Sequence, residues 1–379
     1  MPLTVLQVLP ALGEQGGVER GTVDVAAAIA AAGGRAIVAS AGGARVPMLA
    51  RVRAEHVTIS ANSKNPLMIF RNSRRLADLI RRERVDLVHA RSRAPAWSAF
   101  AAAERCGVPF VTTFHGTYGT SGPLKLRYNS IMARGERVIA ISNFIADHVH
   151  WVYGVPMARL RVIHRGTDLD HFNPDNVSAD RLITQAARWR LEDGMPLVLL
   201  PGRLTRWKGH AVLIEALAKL QRRDLRCIIL GSDQGRSRYR HELESLIVAR
   251  GLGGIVRLID RAEDLPAAYM LSDVVVSAST EPEAFGRVLV EAQALGRPVI
   301  GTDHGGSRET VLQGETGWLT PPGDADALAE ALHQAVSLSA RERLRMAEVG
   351  VAHIRAHFGK DTMCAKTLEV YDEVIGRRG

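Results

Sequence analysis

The sequence predicts an α/β fold built from two doubly wound, Rossmann-like parallel-sheet domains. Short apolar runs alternate with longer helical patterns from one end of the chain to the other, which is typical of parallel sheets flanked by helices. In addition, 379 residues are more than one ordinary hydrophobic core accommodates. We therefore expect two such domains, with ligands bound beyond the carboxyl ends of the strands in the cleft between the domains.

The predicted strands are short runs of apolar and β-branched residues. In the first half they lie at residues 5–9, 36–40, 85–89, 110–113, 138–141 and 160–163. In the second half they lie at residues 197–201, 227–230, 256–259, 274–277 and 299–301. Helical patterns lie between most of them, with the clearest at 18–32, 210–220, 238–250 and 287–295.

The domain limits follow from turn-forming residues near the middle of the chain. Asn173-Pro174 favours a turn, and Gly194 precedes a new strand. We expect an N-terminal domain at 1–177 and a C-terminal domain at 178–355. The last segment, 356–379, is predicted to be a helix that packs back towards the N-terminal domain.

The composition is that of a globular protein, with 46% hydrophobic and 23% charged residues. No uncharged apolar run approaches the ~18 residues of a transmembrane helix. The first ten residues lack the charged start of a signal peptide and are expected to form a strand. Cys106, Cys227 and Cys364 are far apart and odd in number, which predicts no disulfide framework and a location in the reducing cytoplasm.

The net charge of +9 lies entirely in the first half of the chain. Residues 1–175 hold 22 Lys and Arg against 13 Asp and Glu, whereas residues 176–379 hold 27 of each. One interpretation is a solvated arginine-rich surface. The other is attraction to an anionic partner, such as the inner face of a membrane or a lipid-linked acceptor. A nucleic-acid partner is not expected, because the basic stretch lacks interleaved aromatic residues and a binding motif.

Two glutamates, Glu283 and Glu291, lie on either side of a predicted helix start. Glu283 falls in the loop after a strand, and Glu291 lies about two turns into the helix. The amides of Phe285, Gly286 and Arg287 fall where the helix begins, and unpaired N–H groups attract anions there. Two carboxylates around an anion site suit a ligand with both hydroxyls and phosphates, such as a nucleotide sugar.

Glycines and cations that follow other predicted strands are further candidate contacts for a phosphate. Gly16 and Gly17 precede the first helix and would let a phosphate approach the backbone, although a plain tight turn is the alternative. Arg203 follows the first strand of the second half, and Lys208 precedes the next helix. Together they could neutralise a diphosphate leaving group. The alternative is that both are ordinary surface charges.

Histidines follow several predicted strands. His115 could exchange a proton or hold an acceptor hydroxyl, and a structural or merely exposed histidine is the alternative. His89 ends a strand and could also line the cleft. His304 precedes Gly305-Gly306, whose amides are a second candidate contact for a phosphate or sugar.

Metal binding is not predicted. Asp168 and Asp170 form a D-x-D pattern that binds a divalent ion in some sugar transferases, but their position near a predicted domain boundary favours a turn. Asp324 and Asp326 lie at a predicted helix start, where Asp caps the helix. We therefore expect no metal and no other cofactor, with a nucleoside diphosphate sugar as donor substrate.

Taken in order, these motifs resemble glycosyltransferase family 4, whose members are retaining enzymes with the two-domain GT-B fold. The resemblance covers nearly the whole chain, and it implies that the N-terminal domain, 1–177, binds the acceptor and that the C-terminal domain, 178–355, binds the nucleotide sugar. It is carried by the pair Glu283 and Glu291 with Phe285-Gly286 between them, by Gly16-Gly17, by Gly202-Arg203-Leu204 with Lys208-Gly209, by Ala140-Ile141-Ser142, and by Thr302 to Gly306.

The resemblance implies a role for each matched residue. Glu283 would contact donor-sugar hydroxyls near the anomeric carbon, and His115 would lie on the acceptor side; these two are the predicted catalytic residues. Glu291 would hold the ribose hydroxyls. Arg203 and Lys208 would bind the diphosphate. The remaining predicted donor contacts are Gly16, Gly17, Phe285, Gly286, Arg287 and Val288.

The resemblance also implies an activity. It would be transfer of a hexose from a UDP- or GDP-linked sugar to a hydroxyl of a glycan or glycolipid, in the synthesis of cell-envelope polysaccharide or lipopolysaccharide. Residues 90–97 and 113–116 look similar to transferases of the lipopolysaccharide core. The chain departs from the family at Arg165, where asparagine is usual, and at Arg287, where an apolar residue is usual. The alternatives are an epimerase with the same fold and a non-catalytic nucleotide-sugar-binding protein.

Overall fold

The computed structural model of the protein describes residues 3–13, 16–119, 122–235 and 237–376. The chain divides into two units, which are Met1–Gly166 with Lys360–Gly379, and Thr167–Gly359. Each unit contains one sheet of parallel strands connected by helices. The predicted fold class, two doubly wound parallel-sheet domains, is therefore confirmed. We refer to the two parts as unit 1 and unit 2.

Unit 1 has a seven-stranded sheet in which every neighbouring pair is parallel. Its strands are β1 (Thr4–Val8), β2 (Arg35–Ser40), β3 (Glu55–Thr58), β4 (Leu87–Ala90), β5 (Phe110–Phe114), β6 (Arg137–Ala140) and β7 (Leu160–Val162). Their order across the sheet is β3-β2-β1-β4-β5-β6-β7. The central strands are buried along their whole length, as in other parallel sheets covered on both faces.

Unit 2 repeats this arrangement with six parallel strands. Its strands are β8 (Leu197–Pro201), β9 (Arg226–Leu230), β10 (Val256–Ile259), β11 (Val274–Ser277), β12 (Val299–Thr302) and β13 (Gly317–Thr320). Their order is β10-β9-β8-β11-β12-β13. In both units, therefore, the chain reverses its direction of winding between two central strands, which are β1 and β4 in unit 1 and β8 and β11 in unit 2.

Helices connect the strands in both units. In the first part of unit 1 they are α1 (Gly17–Ala31), α2 (Val46–Arg51), α3 (Pro66–Glu83), α4 (Arg93–Cys106), α5 (Pro123–Asn129) and α6 (Asn143–Tyr153). In unit 2 they are α7 (Ala179–Trp189), α8 (His210–Leu220), α9 (Ser237–Ala249), α10 (Leu265–Leu271), α11 (Arg287–Ala294), α12 (Ser307–Thr310), α13 (Ala325–Val336) and α14 (Ala340–His357). The last helix, α15 (Lys360–Gly376), belongs to unit 1.

Capping residues set several helix ends. Ser142 accepts a hydrogen bond from the amide of Ile145 at the start of α6, and Ser339 and Glu342 form a capping box at the start of α14. Asp324 accepts amide hydrogen bonds at the start of α13, which confirms its predicted role as a cap. These boundaries therefore follow from local hydrogen bonds of residues at the helix ends.

The core of unit 1 is completed by the last helix of the chain. Side chains of β1, β2 and α1 pack in one buried cluster with those of α15. Tyr371 in α15 is completely buried there. Residues separated by almost the whole chain therefore share one hydrophobic core.

The chain enters unit 2 at Thr167, whose amide donates to the carbonyl of Phe358 at 2.8 Å. Thr167 also forms a parallel bridge with Gly359. Unit 1 therefore gives way to unit 2 after Gly166 and resumes at Lys360. The limits predicted from turn residues are 1–177, 178–355 and 356–379. Among the described residues, no helix has both the length and the apolar character needed to cross a membrane.

Candidate active site

The carboxyl ends of β8 and β11 form one edge of the unit 2 sheet. These strands are neighbours although β9 and β10 lie between them in the sequence. Ligands of open α/β sheets bind beyond the strand ends at such a reversal of winding. The loop after β8 carries Lys208, and the loop after β11 carries Glu283, so both residues start from this edge.

Glu283 is held by a cation and two hydroxyls. Its Oε1 accepts hydrogen bonds from Lys208 Nζ at 2.8 Å, Ser279 Oγ at 2.6 Å and Ser277 Oγ at 3.0 Å. Burial of Glu283 opposes its ionisation, but the charge of Lys208 and these hydrogen bonds outweigh burial and lower its pKa. Glu283 is therefore a carboxylate at neutral pH. None of the three hydrogen bonds uses its Oε2, which remains able to accept a hydroxyl.

A glycine lets Lys208 reach this position. Gly209 has a φ of 71°, and a Cβ atom placed on it would lie 1.7 Å from the carbonyl oxygen of Ala278. The amide of Thr280 also donates to the carbonyl of Trp207 at 2.7 Å. The loops after β8 and β11 therefore touch through their backbones. The ammonium of Lys208 has three donors, and its predicted contact with a diphosphate stays a prediction.

Helix α11 begins with backbone amides that have no partner among the described residues. Gly286 is its N-cap residue, with φ 79°, and no side chain caps this helix. In the described part of the protein, the amides of Arg287 and Val288 donate no hydrogen bond. Free amides at a helix start form an anion site. This is the local geometry that the sequence predicts at 285–288, and the donor role of these residues stays a prediction.

Glu291 is buried in α11 with both carboxylate oxygens in contact. Its Oε2 accepts a hydrogen bond from the hydroxyl of Tyr269 at 3.0 Å, and its Oε1 lies 3.0 Å from Nε of Arg287. Burial raises the pKa of Tyr269 well above its ordinary value, and the charge of Glu291 adds to the effect. Tyr269 therefore keeps its hydroxyl proton at neutral pH and donates a hydrogen bond to Glu291. The two glutamates of the motif thus have different surroundings, one next to a lysine and the other between a tyrosine and an arginine.

Arg203, the other predicted diphosphate ligand, is exposed in the loop after β8. Within the described residues, its side chain makes no hydrogen bond and no ion pair with unit 2. A guanidinium with no protein partner remains available to a ligand. The two predicted cations therefore differ: Lys208 is paired with Glu283, whereas Arg203 has no partner in the part of the protein that the structure describes.

Gly305 and Gly306 have a structural role that differs from the predicted one. The amide of Gly306 donates to the carbonyl of Glu283 at 2.8 Å, and a Cβ atom on Gly306 would lie 2.4 Å from Cα of Phe285. The prediction that both glycine amides contact a phosphate or sugar is therefore wrong for Gly306. These glycines instead let the chain after β12 support the loop that carries Glu283.

In unit 1, the corresponding strand ends are those of β1 and β4. Gly17 begins α1, and Gly16 precedes it without a side-chain cap. A Cβ atom on Gly17 would lie 2.5 Å from Nη1 of Arg165, so glycine is needed for this close approach. The predicted phosphate contacts of Gly16 and Gly17 stay predictions, and the neighbouring Glu14 and Gln15 lie outside the described residues.

His115 follows β5 and lies against Arg165. Its Nδ1 is 3.3 Å from Nη2 of Arg165, and its Nε2 is inaccessible to solvent and has no partner in the described part of the chain. Burial lowers the pKa of His115 well below its ordinary value, and the charges of Arg165, Arg91 and His89 lower it further. His115 is therefore a neutral imidazole at neutral pH.

His89 is a structural residue, so the expectation that it lines the ligand site is wrong. It is completely buried. Its Nδ1 lies 2.6 Å from the hydroxyl of Tyr371, and its Nε2 lies 2.7 Å from Oγ1 of Thr113. Both ring nitrogens are thus used by α15 and β5.

Several residues of the site are not predicted from the sequence. Ser277 is the last residue of β11 and Ser279 lies two residues further on, so their place at the end of a strand is the signal that could have identified them. Tyr269 in α10 and Arg165 after β7 carry no such signal, because only the fold brings them to Glu291 and His115.

Possible metal ligands do not cluster in the described residues: no group of three or more His, Cys, Asp or Glu side chains could hold an ion. Asp168 Oδ1 instead accepts the amide of His171 at 3.3 Å, as expected of a turn residue.

Comparisons with known proteins agree with this geometry. Residues 15–171 match the model of the family Glycosyltransferase Family 4, and residues 183–351 match that of Glycosyl transferases group 1. A D-inositol 3-phosphate glycosyltransferase of Xylanimonas cellulosilytica is 32% identical over 309 residues, which cover 77% of this chain and 73% of that protein.

Solved structures extend the similarity to the whole chain. A glycosyltransferase from Rickettsia africae is 37% identical with a TM-score of 0.91, over 98% of both chains. Anabaena HepE in complex with UDP is 25% identical with a TM-score of 0.83, over 98% of this chain and all of HepE (100%). The resemblance deduced from the motifs is therefore confirmed, and the chain belongs to glycosyltransferase family 4, as an enzyme with the GT-B fold.

Proposed function

We propose that this enzyme transfers a hexose, with retention of configuration, from a nucleoside diphosphate sugar to a hydroxyl of a glycan or glycolipid. The observation that carries the proposal is the buried pair of Lys208 and Glu283 beside the free amides at the start of α11. It offers hydroxyl-binding and phosphate-binding groups at one edge of one sheet. An epimerase is a less favourable alternative, because Glu283 is held ionised by Lys208 and is poorly suited to donate a proton.

In the proposed reaction, the bond between the sugar and the diphosphate lengthens, and negative charge grows on the phosphate. Lys208, Arg203 and the amides of Gly286 and Arg287 stabilise that charge as it develops. Glu283 binds sugar hydroxyls through its Oε2. The departing phosphate accepts the proton of the attacking hydroxyl, so that the new bond forms on the face that the leaving group occupied.

The donor we propose is UDP-linked, because HepE, similar over almost the whole chain, was solved with UDP. A GDP-linked donor is the alternative. Thermal unfolding with UDP-, GDP- and ADP-sugars tests both, since a ligand that binds the native state raises the melting temperature. If none of the three classes of nucleotide sugar raises it, the proposed activity is excluded.

The acceptor class we propose first is a cell-envelope glycan or glycolipid, such as a lipopolysaccharide precursor. A phosphorylated polyol is the second candidate, favoured by the relative named D-inositol 3-phosphate glycosyltransferase. Incubation with radiolabelled donor and each acceptor class separates the two. Labelled inositol phosphate without labelled lipid or glycan would exclude the first candidate, and the opposite result would exclude the second.

Contact with an anionic membrane through unit 1 is part of this proposal. Leu67 and Phe70 in α3 are 79% and 51% exposed, and the guanidinium of Arg74 lies 4.4 Å from the centre of the Phe70 ring. Exposed apolar side chains beside arginines suit the surface of an anionic bilayer. We expect the protein to sediment with anionic vesicles at low salt, and we expect this binding to be lost at high salt and in the Arg74→Glu variant. Equal sedimentation with zwitterionic vesicles would exclude an electrostatic contact.

The proposed location is the cytoplasm, with the acceptor at the inner face of the membrane. The three cysteines are free thiols, as is usual in a reducing compartment. We also propose that transfer needs no metal ion. Activity that is unchanged by EDTA is expected, and activity that EDTA abolishes and magnesium restores would overturn this part of the proposal.

A further inference from the structure

His115 has a hydrogen-bond partner that determines which of its ring nitrogens carries the proton. Nη2 of Arg165 lies 3.3 Å from Nδ1 of His115. A guanidinium has only donors, so Nδ1 must be the acceptor and carries no proton. In a neutral imidazole the single proton is then on Nε2.

The groups around His115 keep the ring neutral. Arg165 approaches it from the loop after β7, while Arg91 and His89 approach it from β4 and its end. Arg91 is 4% exposed, and its Nη1 donates to Oε1 of Gln7 at 3.2 Å. A positive charge on His115 would therefore be repelled by the guanidinium groups of Arg91 and Arg165 and would also lose its hydration.

The Nε2–H group has no acceptor in the described part of unit 1. An unpaired buried donor costs about 1–3 kcal/mol, so a site that keeps one is suited to a ligand that supplies the acceptor. Nε2 is the ring nitrogen opposite the one that Arg165 occupies. The imidazole is thus oriented with Nδ1 towards Arg165 and with an enclosed Nε2–H donor that no described residue accepts.

We propose that Arg165 is a positioning residue that fixes His115 as the Nε2–H tautomer, so that His115 donates a hydrogen bond to a substrate oxygen and does not act as a base. The hydrogen bond from His115 to a substrate rests on the proposed function, whereas the tautomer of His115 does not. Gly17 belongs to the same arrangement, because any larger residue there would displace the guanidinium of Arg165.

The donor role agrees with the proton balance of the proposed reaction. The proton of the attacking hydroxyl goes to the departing phosphate oxygen, so no protein base has to accept it. A neutral N–H donor can hold a sugar or phosphate oxygen throughout the reaction without changing its own protonation state.

The tautomer is tested without substrate by nitrogen-15 NMR of histidine-labelled protein, with the His115 signals assigned through the His115→Gln variant. We expect an unprotonated Nδ1 and a protonated Nε2 in the wild type, unchanged from pH 6 to 8. In Arg165→Met we expect a mixture of tautomers, and in Arg165→Lys, which keeps a donor, a return towards the wild-type pattern. A proton on Nδ1 in the wild type would disprove the assignment.

The donor role is tested by three substitutions at His115. The amide nitrogen of glutamine reaches roughly the position of Nε2, so His115→Gln should retain activity within about tenfold. His115→Asn and His115→Phe, which place no donor there, should lose about 10²–10³ of kcat, the effect of one preorganised donor. If His115 is a base, glutamine will be as inactive as phenylalanine.

A matched control is His148→Gln in α6. Burial lowers the pKa of His148, and its Nε2 is likewise inaccessible and has no partner among the described residues, so the variant measures the general effect of this substitution in unit 1. Its activity should equal that of the wild type. A loss in His148→Gln as large as in His115→Phe would show that the effects are structural and would overturn the donor role. If no nucleotide sugar binds at all, the proposed function fails while the NMR result still decides the tautomer.

Discussion

At the scale of single residues, the glutamates of the motif differ through their partners. The oxygen Oε1 of Glu283 accepts three hydrogen bonds, whereas Glu291 shares one oxygen with Tyr269 and the other with Arg287. The sequence predicts both carboxylates and the lysine. It does not predict that Lys208 pairs with Glu283, because 75 residues separate them and only the order of strands brings β8 next to β11.

Replacing Lys208 by methionine should destabilise unit 2 and reduce activity. The side chains of Lys208 and Glu283 are only 13% and 12% exposed, and loss of one partner of such a pair costs up to about 3–5 kcal/mol. Chemical denaturation at pH 7 measures the stability. The double variant Lys208→Met, Glu283→Gln should recover part of it, because no unpaired charge remains. If the loss of unfolding free energy in the double variant equals the sum of the losses in the two single variants, the interaction between Lys208 and Glu283 does not contribute to stability.

The pH dependence of this pair follows from the lowered pKa of Glu283. A carboxyl whose pKa is lower in the folded state stabilises the fold at pH values above its unfolded pKa, near 4.3. This stability is lost as the pH falls below that value towards the folded pKa. The difference in unfolding free energy between wild type and Glu283→Gln should therefore shrink between pH 6 and pH 3. A difference that stays constant over this range would contradict the lowered pKa.

His210 should give the protein a second loss of stability in acid. It is completely buried at the start of α8, and burial lowers its pKa to about 4. The unfolded chain binds a proton near pH 6.5 that the folded chain excludes, so stability is complete above pH 6.5 and falls as the pH drops towards 4. The difference amounts to at most about 3 kcal/mol. Denaturation at pH 7 and pH 5 should show a smaller pH effect in His210→Gln than in the wild type; equal effects would assign the loss to other groups.

Arg287 lies inside the motif at a position where the resemblance leads us to expect an apolar residue. Its guanidinium contacts Glu291 and is 42% exposed at the start of α11, where the free amides lie. We expect Arg287→Leu to weaken UDP binding about tenfold and uridine binding less, because the lost charge faces the phosphates. Titration calorimetry compares the binding of the two ligands. The control variant is Arg222→Leu, since Arg222 forms an ion pair with Asp224 elsewhere in unit 2. An equal loss for both ligands would indicate that Arg287 acts only on Glu291.

At the scale of elements, the central strands are predicted best. β8 is apolar throughout, β11 is apolar up to its last residue, Ser277, and both are buried along their length, so burial leaves a clear signal in the sequence. The strands that escape prediction are β3 and β13, which lie at sheet edges. β3 has the sequence EHVT with both ends exposed, and a strand with one free edge needs neither continuous apolar residues nor regular alternation.

Gly209 connects two elements, and its replacement should separate them. In Gly209→Ala, the new methyl group would overlap the carbonyl of Ala278, and the positive φ would be strained as well. We expect a loss of more than about 2 kcal/mol in denaturation and a loss of activity through displacement of Lys208. Gly251→Ala is the control, since Gly251 has a φ of 65° with open space around it. A similar cost in both variants would show that backbone strain alone is responsible.

At the scale of the whole molecule, the chain passes from unit 1 to unit 2 and ends in unit 1 again. Turn-forming residues near Asn173 indicate where a sequence changes domain, but the contacts change where Thr167 bonds to Phe358. Such a long-range pairing leaves no local pattern. The sequence therefore predicts the number and class of the domains more accurately than the residue at which one gives way to the other.

Tyr371 shows how strongly unit 1 depends on α15. Its side chain is completely buried, and its hydroxyl lies 2.6 Å from Nδ1 of His89. Tyr371→Phe should cost about 1–3 kcal/mol because His89 loses a partner, and Tyr371→Ala about 3–5 kcal/mol because a cavity is added. Calorimetry should show the change in the transition of unit 1. An unaltered melting profile in Tyr371→Ala would mean that α15 does not stabilise this unit.

The return of the chain to unit 1 has a consequence for biosynthesis. Residues 360–376 are translated only after all of 167–359, so the sheet of unit 1 is made early but lacks the core side chains of α15 until then. Domains generally fold in the order of their synthesis. Most of unit 1 is therefore made first, yet its core can be completed only after unit 2 has been translated.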